Sequence, residues 1–333
     1  MKDRGQAYAY HKPIGTCAPS ESLTMGIRFH FLNVGTGDCT IVHFPERTRK
    51  DGKKKTERVM MVDMYHHDAH DEYEDILAYY KRNFRNNDGS VKPIFRFVCS
   101  HPHQDHICGL NKLFDDQSIR ILNFWDLNHS FEPENFEHHP THEDDWRTYK
   151  TLSGNDSPAT VIRTTREDSP RQFWNDDEDR ITILSPSESL NEYAHYREDG
   201  IKRKAHEVEI DEMAYALIIR INERKVILAS DGRASPCWDD IYDNCRNEIK
   251  ACAVLKAGHH GQEAGFHEKA VKLMDPVLIV FSNSKDQDKE NGAGNLYEKA
   301  VHNALLLKTW KHGTIVVKVP FDSREKIIYS TTK

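Results

Sequence analysis

The chain has 333 residues, 38% apolar and 30% charged, so a substantial core can form beneath a heavily charged surface. Its longest apolar runs, such as Tyr215 to Ile219 and Val226 to Ala229, are strand-sized. They fall far short of the ~18 residues that a membrane helix needs. The net charge of −7 argues against a surface built to hold long nucleic acid, and leaves only a local basic groove for that purpose.

Seven cysteines (Cys17, Cys39, Cys99, Cys108, Cys237, Cys245, Cys252) are an odd number without a C-x-x-C pair. This pattern fits a reducing compartment rather than a disulfide framework or a zinc knuckle. The first two dozen residues hold no apolar leader, so the expectation is a soluble, cytoplasmic protein without a membrane partner. Several of the twenty histidines, among them His138, His139 and His142, lie in acidic stretches and read as solvated surface.

Residues 1–24 are polar and aperiodic and read as a mobile extension, with one domain over 25–333. Ile27 to Val34 predicts a strand stopped by Gly35-Thr36-Gly37-Asp38, and Cys39 to Phe44 a second. The lysine-rich stretch from Arg47 to Arg58 reads as a hairpin loop. Val59 to Asp63 follows as a buried strand ending in a carboxylate. His70 to Phe84 has helical spacing, with Tyr73, Ile76, Leu77 and Tyr80 on one face. Ile94 to Cys99 is the next strand, and a helix opens over Ile107 to Leu113. Residues from about 115 to 205 form a large acidic insertion, partly strand, with apolar islands at Ile119 to Trp125 and Ile181 to Leu184. Short β-branched strands return at Ala214 to Ile221, Lys225 to Ser230, Ala253 to Lys256, Val277 to Phe281 and Thr314 to Val319. Strands alternating with helices indicate a layered α/β fold.

The chemistry concentrates in His101-Pro102-His103-Gln104-Asp105-His106, four potential ligands in six residues directly after a strand. In an extended loop, residues two apart point the same way, so His101 and His103 can grip one ion. The chain then turns, which lets Asp105 and His106 face a second. Imidazoles with a carboxylate suit zinc, with manganese or iron as alternatives. Two later strand ends supply more: Val226 to Gly232 ends in Asp231, placed to bridge two ions, and Val254 to Gly261 ends in His259 and His260.

These motifs resemble the metallo-β-lactamase superfamily, and within it the hydrolase domain at the C-terminus of ComEC-type DNA-uptake proteins. Phe31 to Asp38 is similar to that group's opening strand and Gly-x-Gly-Asp turn, and Met61-Val62-Asp63 to its second strand. Ser100 to Leu110 is similar to its histidine motif, and Leu228 to Gly232 and Leu255 to Gly261 to its later ones. The resemblance implies a four-layer αββα sandwich with two divalent metal ions at one edge of the sheets. It implies His101, His103, Asp105, His106, Asp231 and His259 as ligands, with His259 chosen over His260 because it lies nearer the strand end. Asp38, Asp63, His260, Lys256 and Asn283 are then expected around the ligands or against the substrate. The chain departs from the pattern at Cys108-Gly109, where the family has Gly-Gly. It departs again at Asp211 to Tyr215, where many members place a further histidine, and no ligand is assigned there.

A two-metal site serves hydrolysis of an ester, amide or phosphodiester, with Asp105 as the candidate to orient the attacking hydroxide. The expectation is a phosphodiesterase or nuclease acting on nucleic acid or nucleotide. The alternatives are a hydrolase of a small ester or lactone, and a non-catalytic metal-binding regulatory module. The sign of the charge around the cleft separates substrate sizes. A polynucleotide requires Lys256, Lys285 and part of the Lys50 to Lys55 loop at its border, whereas an acidic rim from the insertion indicates a small substrate.

Overall fold

In a computed structural model the described residues are 15–16, 25–48, 52, 54–66, 72–133, 141–169, 172–175, 180–196, 200–203 and 209–333. Alternation of side chains builds the first sheet. Gly26–Phe31 pairs antiparallel with Thr40–Phe44, which pairs with Arg58–Val62, and Arg96–Val98 then runs parallel to the latter. Along Gly26–Phe31, Phe29 faces Val42 across the ladder, while His30 turns to the opposite side. There His30 meets Tyr79 and Phe84, at the end of the Ile76–Asn83 helix. Asn123–Trp125 and Thr160–Ile162 extend this sheet at one edge. Ile315–Pro320, Ile328–Thr331 and the two-residue Gly15–Thr16 extend it at the other, for nine strands among the described residues.

The second sheet runs in the order Ile181–Ser185, Ala216–Ile221, Arg224–Leu228, Val254–Lys256, Leu278–Phe281, Leu305–Lys308. Its strands are buried on both faces, which is why they read as continuous apolar runs. Leu217, Ile219, Val226, Leu228, Val254, Leu278 and Val280 pack into the core between the sheets. Ala216, Ile218, Ile227, Leu255 and Ile279 pack against Ile241, Ile249, Val271 and Tyr297 of the covering helices. Each fully buried leucine or isoleucine contributes about 1.5–3 kcal/mol, so both faces of this sheet stabilise the fold. Helices Ile76–Asn83, Leu110–Asp115 and Glu143–Ser153 add their apolar faces to the first core. The result is a four-layer αββα sandwich.

The structure differs from the sequence reading in several places. The first helix runs Ile76–Asn83, because Asp75 caps it by accepting from the Ala78 amide at 3.0 Å. Of the helix expected from His70, residues 70–71 lie outside the described residues and 72–75 are not helical. The insertion is not only decoration: Asn123–Trp125 and Thr160–Ile162 are strands of the first sheet, and Ile181–Ser185 is an edge of the second. Gly15–Thr16, inside the segment read as an extension, pairs parallel with Ile328–Thr331. That last strand and Leu305–Lys308 escaped the sequence reading; both are short and only partly buried, so alternation is weak in them. The cysteines among the described residues, Cys39, Cys99, Cys108, Cys237, Cys245 and Cys252, form no disulfide. Of the described residues, no helix is long and apolar enough to cross a membrane.

His30 gives the fold an acid-sensitive point. It is 7% exposed and donates to or accepts from the Tyr79 hydroxyl at 2.7 Å, and burial lowers its pKa to about 3. The unfolded chain takes up this proton near pH 6.5, while the folded chain refuses it down to about 3. Stability is therefore complete above about 6.5 and is lost at up to about 1.4 kcal/mol per pH unit as pH falls through that window. Urea midpoints measured from pH 7 to 4 should fall with this slope, and His30→Gln should flatten it. An unchanged slope in the variant assigns the effect elsewhere.

Candidate metal centre

The site lies where the C-terminal ends of Arg58–Val62, Arg96–Val98, Arg224–Leu228 and Val254–Lys256 deliver Asp63, His101, Asp231 and His260. Two groups of potential metal ligands meet there: His101, His103 and Asp211, and Asp38, His106, Asp231 and His260. In the first, His101 Nε2 lies 3.0 Å from His103 Nδ1, and these lie 3.4 and 3.1 Å from Asp211 Oδ1. In the second, Asp231 Oδ2 is 3.2 Å from His106 Nε2 and 3.1 Å from His260 Nε2. Asp105 Oδ2 joins it, 3.2 Å from His260 Nε2 and 3.7 Å from His106 Nε2.

These edges fit a metal ion. Bonds of about 2.0–2.1 Å at angles between 90° and 110° place neighbouring donor atoms roughly 3.0–3.4 Å apart. His101 with His103, and His106 with Asp231, meet at hydrogen-bond geometry, but other close contacts within the groups do not. His260 Nε2 and Asp211 Oδ1 are buried without a hydrogen-bond partner, even though charged neighbours stand at 3.1–3.4 Å, and Asp231 Oδ1 is likewise buried without one. Buried donors and acceptors left so are costly unless a cation satisfies them.

Outer contacts orient the rings. Asp63, turned by a φ of 59° at its strand end, holds His106 Nδ1 at 2.9 Å. It also accepts from the Ser100 amide and hydroxyl, each at 2.7 Å. The Ser100 hydroxyl lies 3.1 Å from His101 Nδ1 and accepts from Ser230 Oγ at 2.8 Å. The Ser282 carbonyl lies 3.2 Å from His260 Nδ1, with Asp38 Oδ2 at 3.6 Å from the same atom. Asp38 itself is held by Lys256 Nζ at 2.6 Å.

Electrostatics follow from this crowding of carboxylates. Burial pulls the His260 imidazole down, but Asp231 and Asp105 outweigh it and raise its pKa to about 10. His106 is raised in the same way by Asp231, Asp105 and Asp63 against burial. His101 goes the other way, lowered by burial and by the neighbouring His106 and His103. Burial opposes the Lys256 charge, yet Asp38 and Asp231 hold its pKa above the ordinary value.

Five of the six residues expected as ligands, His101, His103, Asp105, His106 and Asp231, are brought together. The sixth is not: His260 points into the cluster, whereas His259 is half-exposed and its Nδ1 lies 3.0 Å from the Asp231 carbonyl oxygen. The reason is a sharp turn. His259, His260 and Gly261 all have left-handed backbone, with φ of 49°, 55° and 80°, so nearness to the strand end no longer decides which ring turns inward. Gly261 is needed there, since an added Cβ would lie 2.0 Å from the Phe281 ring. Gly37 is similarly constrained, because a Cβ would lie 2.4 Å from the Asp105 carbonyl oxygen and 2.3 Å from Tyr65. Asp211 was not assigned from sequence; the only signal was an acidic residue standing near the position where the family has histidine. Asn283 is buried, its backbone amide donating to Thr309 Oγ1 and its side chain to Asp288 Oδ1, outside both donor groups.

Among the described residues, the expected basic border is largely absent. Lys256 is buried on Asp38 and the Ala229 carbonyl, out of reach of a substrate. The lysine hairpin, Arg47–Thr48 with Lys54–Lys55, follows Phe44, at the far end of the Thr40–Phe44 strand from Asp38. Residues 49–51 and 53 of that loop lie outside the described residues. Arg233 is committed to Glu209 and Glu212. Lys285 is exposed, two residues from Gln287, whose amide donates to the Thr36 carbonyl at 2.9 Å. The first turn of Glu143–Ser153, which carries Glu143, Asp144 and Asp145 with Arg147 paired to the first two, docks on Gln104 beside Asp105. His138 and His139 lie outside the described residues.

No protein-family model matches the chain, and no curated protein matches it. Among solved structures it is similar to Igni18, a metallo hydrolase from the hyperthermophilic archaeon Ignicoccus hospitalis. The identity is 14% and the TM-score 0.46, over 87% of this chain and 98% of that one. It is also similar to a mutant of the CmlA beta-hydroxylase, at 10% identity and a TM-score of 0.49, over 91% of this chain and 55% of that one. Likenesses this remote transfer no activity, and the chemistry rests on the residues themselves.

Proposed function

We propose that the chain is a metal-dependent hydrolase of the metallo-β-lactamase type, cleaving a small phosphodiester such as a cyclic nucleotide. The observation that carries the reading is the pair of donor groups, His101–His103–Asp211 and His106–Asp231–His260, with Asp105 beside the second and one Asp231 oxygen unpartnered. Each group offers two imidazoles and a carboxylate, a donor set suited to zinc, manganese or iron. A pair of divalent ions supplies a nucleophile from water at neutral pH and stabilises charge on the departing oxygen. The protein's own part is to aim its groups. Asp105, 26% exposed at the side chain, faces both the cluster and solvent and is placed to orient an attacking water. Asp63 and Asp38 stand behind His106 and His260 and fix which ring nitrogen points inward.

Small size is favoured by the acidic docking helix and by the lysines that face elsewhere. A panel of simple phosphodiesters, cyclic nucleotides and long DNA and RNA, with manganese or zinc supplied separately, tests this. Turnover of the small diesters should exceed that of polynucleotide and change little between 50 and 200 mM salt. Multi-contact polynucleotide binding would instead weaken by orders of magnitude over that range, roughly 10³-fold or more for six or more phosphate contacts. Strong, salt-sensitive cleavage of long DNA or RNA overturns the size assignment. Turnover confined to carboxylic esters or lactones overturns the phosphodiester assignment.

A further inference from the structure

Cys108, the residue that departs from the Gly-Gly pattern, does not pack idly. Its thiol, a ring nitrogen of His142 and a carboxylate oxygen of Asp145 all lie within 4.8 Å of one another. The three come from two separate pieces of chain, the loop that follows His106 and the start of the insertion helix Glu143–Ser153. We propose that they form a third metal site, separate from the two donor groups above, which takes a thiophilic ion such as zinc and fastens the insertion to the metal-binding loop.

The residue types and their surroundings support the assignment. Thiolate, imidazole and carboxylate together form a donor set for zinc, and three protein ligands leave a position for water. Asp145 is buried and already oriented: Gln104 Nε2 donates to its Oδ2 at 2.9 Å, and the Asn111 amide to its Oδ1 at 3.2 Å. Such outer contacts aim a ligating carboxylate. His142 Nδ1 stands 3.7 Å from Asp145 Oδ2. Its side chain is 71% exposed, so it can rotate to close the remaining gap. Bonds of about 2.3 Å to sulfur and 2.0 Å to nitrogen or oxygen need donor atoms roughly 3.3–3.7 Å apart. The Cys108 thiol donates to the His66 carbonyl at 3.3 Å, and on binding it would give up its proton to solvent. The backbone already couples the two pieces, since the His142 amide donates to Gln104 Oε1 at 2.6 Å, one residue from Asp105. An ion here therefore braces the wall of the principal site from outside.

The soft thiolate separates this site from the other two, because manganese has little affinity for sulfur. Metal-free protein is titrated with cadmium, and thiolate-to-cadmium charge-transfer absorption is followed alongside bound metal. The wild-type chain should take up three equivalents and develop the absorption. Cys108→Ser, which keeps a donor for the His66 carbonyl, should take up two and develop none. His142→Ala should weaken the third equivalent by more than about tenfold while leaving the other two, since it removes a ligand. Uptake of three equivalents with undiminished absorption by Cys108→Ser overturns the proposal, as does uptake of only two by the wild-type chain. Failure to bind any equivalent overturns both this site and the principal centre, whereas loss of the third alone leaves the hydrolase reading standing.

Discussion

Asp231→Ala is expected to reduce hydrolysis by more than about 10³-fold while leaving the sandwich folded. Removing an outer hydrogen-bond partner of a metal ligand costs roughly 10–100-fold, and Asp231 is closer to the reaction than that. One of its oxygens stands 3.1–3.2 Å from both His106 and His260, and the other is buried with no hydrogen-bond partner. Without it, His106 and His260 lose the carboxylate oxygen that stands between their inward-facing nitrogens. Asp231 follows the Arg224–Leu228 strand, whose ladder to Ala216–Ile221 and Val254–Lys256 does not involve the side chain. Far-ultraviolet circular dichroism should therefore be unchanged, and steady-state turnover should collapse. Retention of about a tenth of wild-type activity is too much for a shared ligand and removes Asp231 from that role.

Lys256→Met should produce the largest loss of stability of any single substitution beside the site. Lys256 and Asp38 are 4% and 1% exposed and joined at 2.6 Å. Removing the ammonium strands a carboxylate in the interior, and breaking a buried pair from one side costs about 3–5 kcal/mol. Adding Asp38→Asn to Lys256→Met should recover much of that loss, because the uncompensated charge is then gone. Urea unfolding of the two single variants and the double variant closes the cycle. A cost below about 1 kcal/mol for Lys256→Met, a typical figure for exposed pairs, would mean that the pair is solvated.

Much of this arrangement was legible in the residues. The cluster from His101 to His106 and the strand-ending Asp231 stand out because ligand types are compressed at spacings that alternate across a loop. What the sequence obscured depends on backbone direction and long-range meeting. The inward turn of His260 needs three successive left-handed residues, which no local pattern at His259-His260 announces. Asp211 reaches His101 and His103 from 110 and 108 positions further along the chain, on a short helical turn, Ile210–Met213, before the Ala216–Ile221 strand. Lys256 looked like a substrate contact until its burial on Asp38 was seen, since charge alone does not reveal which way a strand residue points. Within the insertion, Asn123–Trp125 and Ile181–Ser185 fall in its apolar islands, whereas Thr160–Ile162 is three residues, too short for alternation to show.

The most direct test of the centre is metal content after reconstitution of metal-free protein with manganese, which the Cys108 thiolate does not favour. Wild-type protein should hold two ions per chain by elemental analysis. Asp211→Ala and His260→Ala should each hold about one, by loss of a donor from one group. His259→Ala should still hold two. Wild-type protein that binds no manganese, or an ion lost from His259→Ala and kept in His260→Ala, would contradict the arrangement described.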